Sequence, residues 1–253
     1  KNYKNILVEK PAVISVGDVL DIKERLKSKK IFFAESFLYR YHPQTQVVID
    51  IIKNEDVGEL LSMSSFFGSD IITKKKFFGL IKKIKISKNN RLFNKELGGG
   101  AIWDIGCYPT SMSLLIAGLK SKINGNIEIL NSRIIKNPAE VDLESFAELK
   151  FENDFKSKIG CSFKSNLGQS TTINGSKCKI VINNSWNCKN KVIRLNQKEY
   201  KIEKKYNNNF SYVIEKISEY LINGKTEPDF PGMRLKDSIT NIEILEKWQN
   251  SYE

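Results

Sequence analysis

An aspartate and a tyrosine four residues apart, Asp104 and Tyr108, lie inside the stretch Gly98-Gly-Gly-Ala-Ile-Trp-Asp-Ile-Gly-Cys-Tyr-Pro109. The apolar run from Ala101 to Ala117 reads as a helix. On a helix that spacing puts a carboxylate and a phenol on one face, one turn apart. Such a pair can exchange a proton with a substrate oxygen. The three glycines ahead of it remove every side chain from a length of backbone. They permit φ > 0 and leave room for something large to approach the main chain. The same two residues also suit a helix cap and a ring packed in a core. Two further stretches carry candidate chemistry, Glu9-Lys10-Pro11 and Tyr39-Arg40.

The elements that must position these groups follow from periodicity. Asn5 to Glu9 reads as a short buried strand, and Ser15 with Asp18 three residues on opens a helix whose apolar positions are Val16, Val19, Leu20 and Leu26. A second strand starts at Ile31 and reaches about Leu38. Strand, helix, strand of these lengths is a βαβ unit with parallel strands. Ligands of such sheets sit beyond the C-terminal strand ends, which here carry Glu9-Lys10-Pro11 and Tyr39-Arg40. A lysine there can hold a ribose or phosphate; a surface lysine before a loop proline is the alternative. Pro43 starts a helix that ends near Asn54, Leu60–Phe67 is a strand, and Pro109 predicts a kink or break near Gly106. From about Asn126 the pattern becomes antiparallel sheet: Asp142–Phe151, then Phe155–Phe163 with one wet face, then strands around Cys178–Ile182, Lys191–Asn196 and Glu199–Glu203. Two amphipathic helices, Phe210–Leu221 and Leu235–Trp248, close the chain. The fold class is therefore α/β joined to α+β with a large open, mostly antiparallel sheet.

Composition narrows the function. At 253 residues with 40% hydrophobic content the chain can bury a sizeable core. No run of some 18 apolar residues is present, so no membrane partner is expected. Net charge is +12, but lysine is spread along the whole chain and no recognition motif accompanies it, so no specific nucleic acid is expected. The local exception is Lys74, Lys75, Lys76, Lys82, Lys83, Lys85, Lys88 and Arg91, interleaved with Phe77, Phe78, Leu80, Ile81 and Ile84. It suits either a basic amphipathic helix or a solvated loop or flap ahead of the glycines. Four cysteines without a CxxC pair and a single histidine, His42, give no metal site and predict reduced thiols in a cytoplasmic protein. The chain begins at Lys1 and enters almost directly into a strand, so we expect it to start inside a domain.

Val8-Glu9-Lys10-Pro11, Tyr39-Arg40-Tyr41-His42-Pro43 and Gly98–Pro109, in this order and at these separations, resemble the Gfo/Idh/MocA oxidoreductases over essentially the whole chain from residue 5. Tyr108 and Pro109 resemble the branch that includes glucose-fructose oxidoreductase and dimeric dihydrodiol dehydrogenase. The resemblance implies the C-terminal part of an NAD- or NADP-binding Rossmann domain over 1–40. Residues 41–253 would be a substrate-binding domain whose open sheet makes a homodimer or higher oligomer. It implies Lys10, Tyr108 and Asp104 as catalytic residues, Glu9, Lys10, Pro11 and Arg40 at the cofactor, and a cis Lys10–Pro11 bond. The implied reaction transfers a hydride between nicotinamide and a CH–OH carbon of a sugar, sugar derivative or related diol. Tyr108 is general acid/base, with a pKa lowered by the Lys10 ammonium. The GxGxxG phosphate loop of such proteins is absent from the sequence, which we take as the mark of a fragment. The alternative is a cofactor-free binding or oligomerisation protein that uses the C-terminal sheet.

Overall fold

Ser15 sets the first turn. In the computed structural model, which describes residues 4–75, 81–83, 86–87, 89–120, 126–138 and 140–251, its Oγ accepts from the Asp18 amide at 3.1 Å and caps α1 (Val16–Leu26). The helix joins β1 (Ile6–Val8) to β2 (Phe33–Glu35), which pair in parallel with Ile6 opposite Phe33 and Val8 opposite Glu35. The expected βαβ unit is present, but β1 is not the buried strand expected. Ile6 and Leu7 are exposed, because only β2 pairs with it and no further strand covers its other edge among the described residues. β2 ends at Glu35 rather than near Leu38, and Leu38–Tyr41 forms a short helix, α2. In this turn the Tyr39 and Arg40 side chains, both buried, are tied to the later helix that carries Ser111. Pro43 then opens α3 (Pro43–Asn54), capped by His42, whose Nδ1 accepts from the Gln44 amide at 3.0 Å. Burial, with the nearby Lys204 charge, pushes the His42 pKa down to about 4, so the imidazole is a neutral cap.

An eight-stranded sheet follows. Its strands are β3 (Leu60–Gly68), β6 (Glu128–Lys136), β7 (Asp142–Lys150), β8 (Lys156–Ser162), β9 (Thr171–Gly175), β10 (Lys179–Ile182), β11 (Val192–Leu195) and β12 (Lys198–Lys201). They lie in the order β12-β11-β10-β9-β3-β8-β7-β6, antiparallel except for β3 and β8. One face buries Met63, Leu143, Ala147, Leu149, Ile159 and Cys161 beneath α4 (Cys107–Ala117) and α6 (Leu235–Asn250). On β8 the wet face holds at Lys156 and Lys158, then closes: the Phe66 and Phe146 rings meet over Gly160, and Ser162 donates to Glu144 at 2.8 Å. β4 (Thr73–Lys75) and β5 (Ile81–Lys83) make a short antiparallel ribbon. The two described strands of the basic segment are thus extended, not an amphipathic helix, and Arg91 at its end opens a 3-10 turn, Arg91–Phe93. Residues 76–80, 84, 85 and 88 of that segment lie outside the described residues.

α5 (Phe210–Ile222) returns to the start of the chain. Val213, Ile217 and Tyr220 share a core with Phe32 and Ala34 beside it, and the Phe33 amide donates to Thr226 O at 3.0 Å. α6 packs against α1 and β2 as well as α4. The two C-terminal helices therefore clamp the N-terminal strands, and with them the loop after β1, against the large sheet. No helix among the described residues is long and apolar enough to cross a membrane.

Candidate active site

The loop after β1 carries Lys10 across the molecule to Asp104. Its ammonium donates to the Asp104 main-chain oxygen, lies 3.5 Å from Asp104 Oδ1 and sits 4.9 Å from the centre of the Tyr108 ring. Lys10, Asp104 and Tyr108 are thus brought to one place from widely separated stretches. The Lys10–Pro11 bond is cis, as expected. Glu9 is exposed beside them, close enough for its charge to act on Tyr108. A second cation joins the group: Arg91 Nη2 lies 3.1 Å from Asp104 Oδ1. The Arg91 side chain is 65% exposed, against 13% for Lys10 and 15% for Asp104. An exposed partner of this kind is worth about 1 kcal/mol or less and is screened by salt. We expect Arg91→Ala to shift thermal unfolding by no more than a few degrees, with the difference shrinking further in about 0.5 M salt. A large, salt-insensitive loss would contradict the exposed pairing.

The glycines meet something other than a ligand. Gly98 (φ 68°) and Gly100 (φ 116°) occupy the left-handed region. A Cβ on Gly98 would strike the Ile14 side chain, one on Gly99 the Asn94 and Arg91 backbone, and one on Gly100 the Asp142 carboxylate at 2.1 Å. The chain's own groups fill the space, so the expectation of an open approach for a large molecule is corrected. Asp142 is the chief occupant. Its Oδ2 accepts from the Ile102 amide at 2.8 Å and from Ser145 Oγ at 3.2 Å, a buried carboxylate at the start of the helix that carries the site. Burial raises its pKa to about 6. The helix itself starts as a π-helical turn, Ile102–Gly106, and becomes α-helical at Cys107. Pro109 has no N–H to give the preceding turn, and the expected break near Gly106 takes this form. Asp104 sits within the π-turn, a geometry frequent at functional sites.

Tyr108 is packed edge and face by four rings. Phe67 lies at 5.4 Å, Trp186 at 5.6 Å, Phe37 at 5.7 Å and Tyr39 at 6.4 Å between centroids. Burial, first of all, raises the Tyr108 pKa well above the ordinary value for tyrosine; the charges of Cys107, Asp104 and Glu9 act in the same direction. The expected lowering by Lys10 does not prevail. Its ammonium faces the ring, is shared with Asp104, and makes no hydrogen bond to the hydroxyl among the described residues.

Arg40 makes no hydrogen bond or ion pair with Lys10, Asp104 or Tyr108 among the described residues. It is 3% exposed, and its guanidinium donates to Tyr39 Oη at 3.1 Å, Pro231 O at 3.1 Å and Ser111 O at 2.6 Å. A buried charge requires such bonds, and these tie α2 to α4 and to the loop before α6. In this arrangement Arg40 is a brace. Two residues of the site's surroundings escaped the sequence reading. Glu35, buried at the end of β2, accepts from the Ala12 amide at 2.7 Å and so holds the loop carrying Lys10 and Pro11; a charged residue closing an apolar strand was the available signal. Trp186, in the loop after β10, had no local signal at all. Among the described residues no cluster of three potential metal ligands is present.

The GFO/IDH/MocA C-terminal domain family matches residues 45–181. Trans-1,2-dihydrobenzene-1,2-diol dehydrogenase from Xenopus laevis is 26% identical over 257 residues, covering 98% of this chain and 71% of that relative. Among solved structures, aldose-aldose oxidoreductase from Caulobacter crescentus, complexed with glycerol, superposes with a TM-score of 0.78 at 17% identity, over 98% of this chain and 69% of that one. Levoglucosan dehydrogenase, in complex with NADH and levoglucosan, gives 0.76 at 17% identity over 98% and 71%.

Proposed function

We propose, from the premise that this chain belongs to the GFO/IDH/MocA family of oxidoreductases, that it moves a hydride between NAD or NADP and a CH–OH carbon of a sugar, sugar derivative or related diol. The observation that carries this reading is the meeting of Lys10, Asp104 and Tyr108 in one place. The named activities of the relatives, a diol dehydrogenase and two sugar oxidoreductases, support this substrate class.

The donor set suits the nicotinamide end of such a cofactor. An ammonium just past the C-terminal end of a parallel strand, beside the largely buried Asp104 carboxylate and a phenol, can bind ribose hydroxyls and a substrate oxygen at once. Glu9, Lys10 and Pro11 are the residues assigned there. No GxGxxG occurs in the sequence, so no residue is assigned to the pyrophosphate. When bound, the nicotinamide supplies the carbon that gives or takes the hydride. Tyr108 exchanges the proton with the adjacent substrate oxygen. Asp104 holds the Lys10 ammonium in position and accepts a hydrogen bond from a neighbouring substrate hydroxyl. The open face of the eight-stranded sheet is the surface for a homodimer.

Fluorescence titration of the complete gene product with NADH and NADPH tests the reading. We expect saturable binding of one or both, weakened about tenfold or more in Lys10→Met, the loss of one charged hydrogen bond. If neither cofactor binds, the oxidoreductase reading gives way to a cofactor-free binding protein.

A further inference from the structure

Glu35 closes β2 inside the protein. It is 1% exposed, and the parallel register sets it opposite Val8. The Ser36 amide donates to Val8 O at 2.8 Å, so the two strands end together. From there the Glu35 side chain reaches into the loop after β1, where its Oε1 accepts from the Ala12 amide at 2.7 Å. Ala12 stands two residues beyond Lys10. Among the described residues no other side chain bonds to the backbone between Glu9 and Ile14. The second carboxyl oxygen faces α6. Ser238 lies close enough there for its hydroxyl to act on the carboxyl, yet neither Glu35 Oε2 nor Ser238 Oγ completes a bond of ordinary geometry among the described residues. One turn further along α6, Asn241 Nδ2 donates to Cys107 O at 3.5 Å. No cation is bonded to Glu35: the Arg40 guanidinium, whose charge acts on it, donates instead to Tyr39, Pro231 and Ser111. α6 therefore backs both the carboxyl that grips the Lys10 loop and the helix that carries Asp104 and Tyr108.

We propose that Glu35 is the positioning residue for Lys10: through the Ala12 amide its carboxyl holds the loop after β1 in the shape that lays the Lys10 ammonium against Asp104 and Tyr108. The proposal rests on the reading of Lys10 as the cation for cofactor and substrate, and adds the residue that sets it in place. A lysine side chain is long and free to turn, so where its ammonium rests depends on where the loop holds its Cα. A loop with few bonds of its own opens easily. A displacement of about 1 Å at a reacting group can cost about 10²-fold in rate. An apolar side chain would fill the same space at the end of β2. Only an acceptor aimed at the Ala12 amide satisfies that N–H and fixes the loop.

Residue-level hydrogen exchange tests this without any variant. The Ala12 amide should exchange about tenfold or more slowly than an open loop amide; exchange at the open-loop rate overturns the proposal. Acylation by acetic anhydride, read at Lys10 by peptide mass spectrometry, then reports whether the ammonium stays on Asp104. Glu35→Met keeps the volume and removes the acceptor. In that protein Lys10 should label about threefold faster or more than in the wild type. Glu35→Gln restores an acceptor and should return most of the way to the wild-type rate. Equal labelling of Lys10 in all three proteins overturns the proposal. On the complete gene product, Glu35→Met should weaken NADH or NADPH binding about fivefold with Lys10 present, and less than about twofold in Lys10→Met. Equal losses in the two backgrounds would mean that Glu35 acts on the fold and not through Lys10. If the wild type binds neither cofactor, the proposed function fails, while exchange and labelling still decide the role of Glu35.

Discussion

Tyr108→Phe lowers turnover about 10²-fold or more while leaving the fold and cofactor binding in place. The substitution removes one oxygen and nothing else. The ring keeps its four aromatic neighbours and its place under the Lys10 ammonium. No protein hydrogen bond to the hydroxyl is lost among the described residues, so the cost in stability is within about 1 kcal/mol. What goes is the proton. A positioned acid or base contributes about 10²- to 10⁴-fold, and a group that acts in the transition state is felt in kcat with KM little changed. Steady-state rates of the complete gene product, with thermal unfolding as the control, check this. Wild-type turnover in the phenylalanine protein would remove Tyr108 from the mechanism.

Nearly all of the strand and helix order was legible because it rests on local period. Ser15 and Asp18, the Pro43 start and the alternation along Lys156–Ile159 each report on neighbours a few residues away. The meeting of Lys10, Asp104 and Tyr108 was legible for another reason: a lysine at a strand end, and an aspartate and phenol on one helix, are chemical types that ordinary packing seldom asks for together. What stayed hidden depends on which distant groups the fold brings alongside. The glycines at 98–100 announce close approach, but sequence cannot say that Ile14, Asn94 and Asp142 are what approaches. Arg40 looks the same on paper whether it faces a cofactor or, as found, Ser111 and Pro231. The sign of the Tyr108 shift is the sharpest case. One cation within reach argues for a lowered pKa, and only the packing of Phe37, Tyr39, Phe67 and Trp186 reveals that desolvation outweighs it.

Asp142 gives the largest expected effect on stability, and its pH dependence tests why. The carboxylate is 2% exposed, caps the Ile102 amide and lies against Gly100. Alanine there orphans a buried N–H and the Ser145 hydroxyl and leaves a small void. Each orphaned group costs about 1–3 kcal/mol and the lost cap about 1; relief of the buried charge offsets part of this. We expect Asp142→Ala to lose about 2–4 kcal/mol near pH 5, read as a shift of the urea midpoint. The native pKa of about 6 lies above the ordinary aspartate value of 3.8. The unfolded chain therefore releases this proton first as pH rises. The stability contributed by the protonated native form is fully present below about pH 4 and is lost as pH climbs through about 6, a change of about 3 kcal/mol. Glu35, also raised by burial, acts in the same direction, so the wild-type curve alone does not isolate Asp142. Asp142→Asn keeps an acceptor for the Ile102 amide and removes the titration. Between about pH 4 and 7 its unfolding free energy should fall less steeply than that of the wild type, by about those 3 kcal/mol. Parallel curves would mean that the carboxylate is hydrated, and that the start of the helix carrying Asp104 and Tyr108 is held by something other than a buried, reluctant charge.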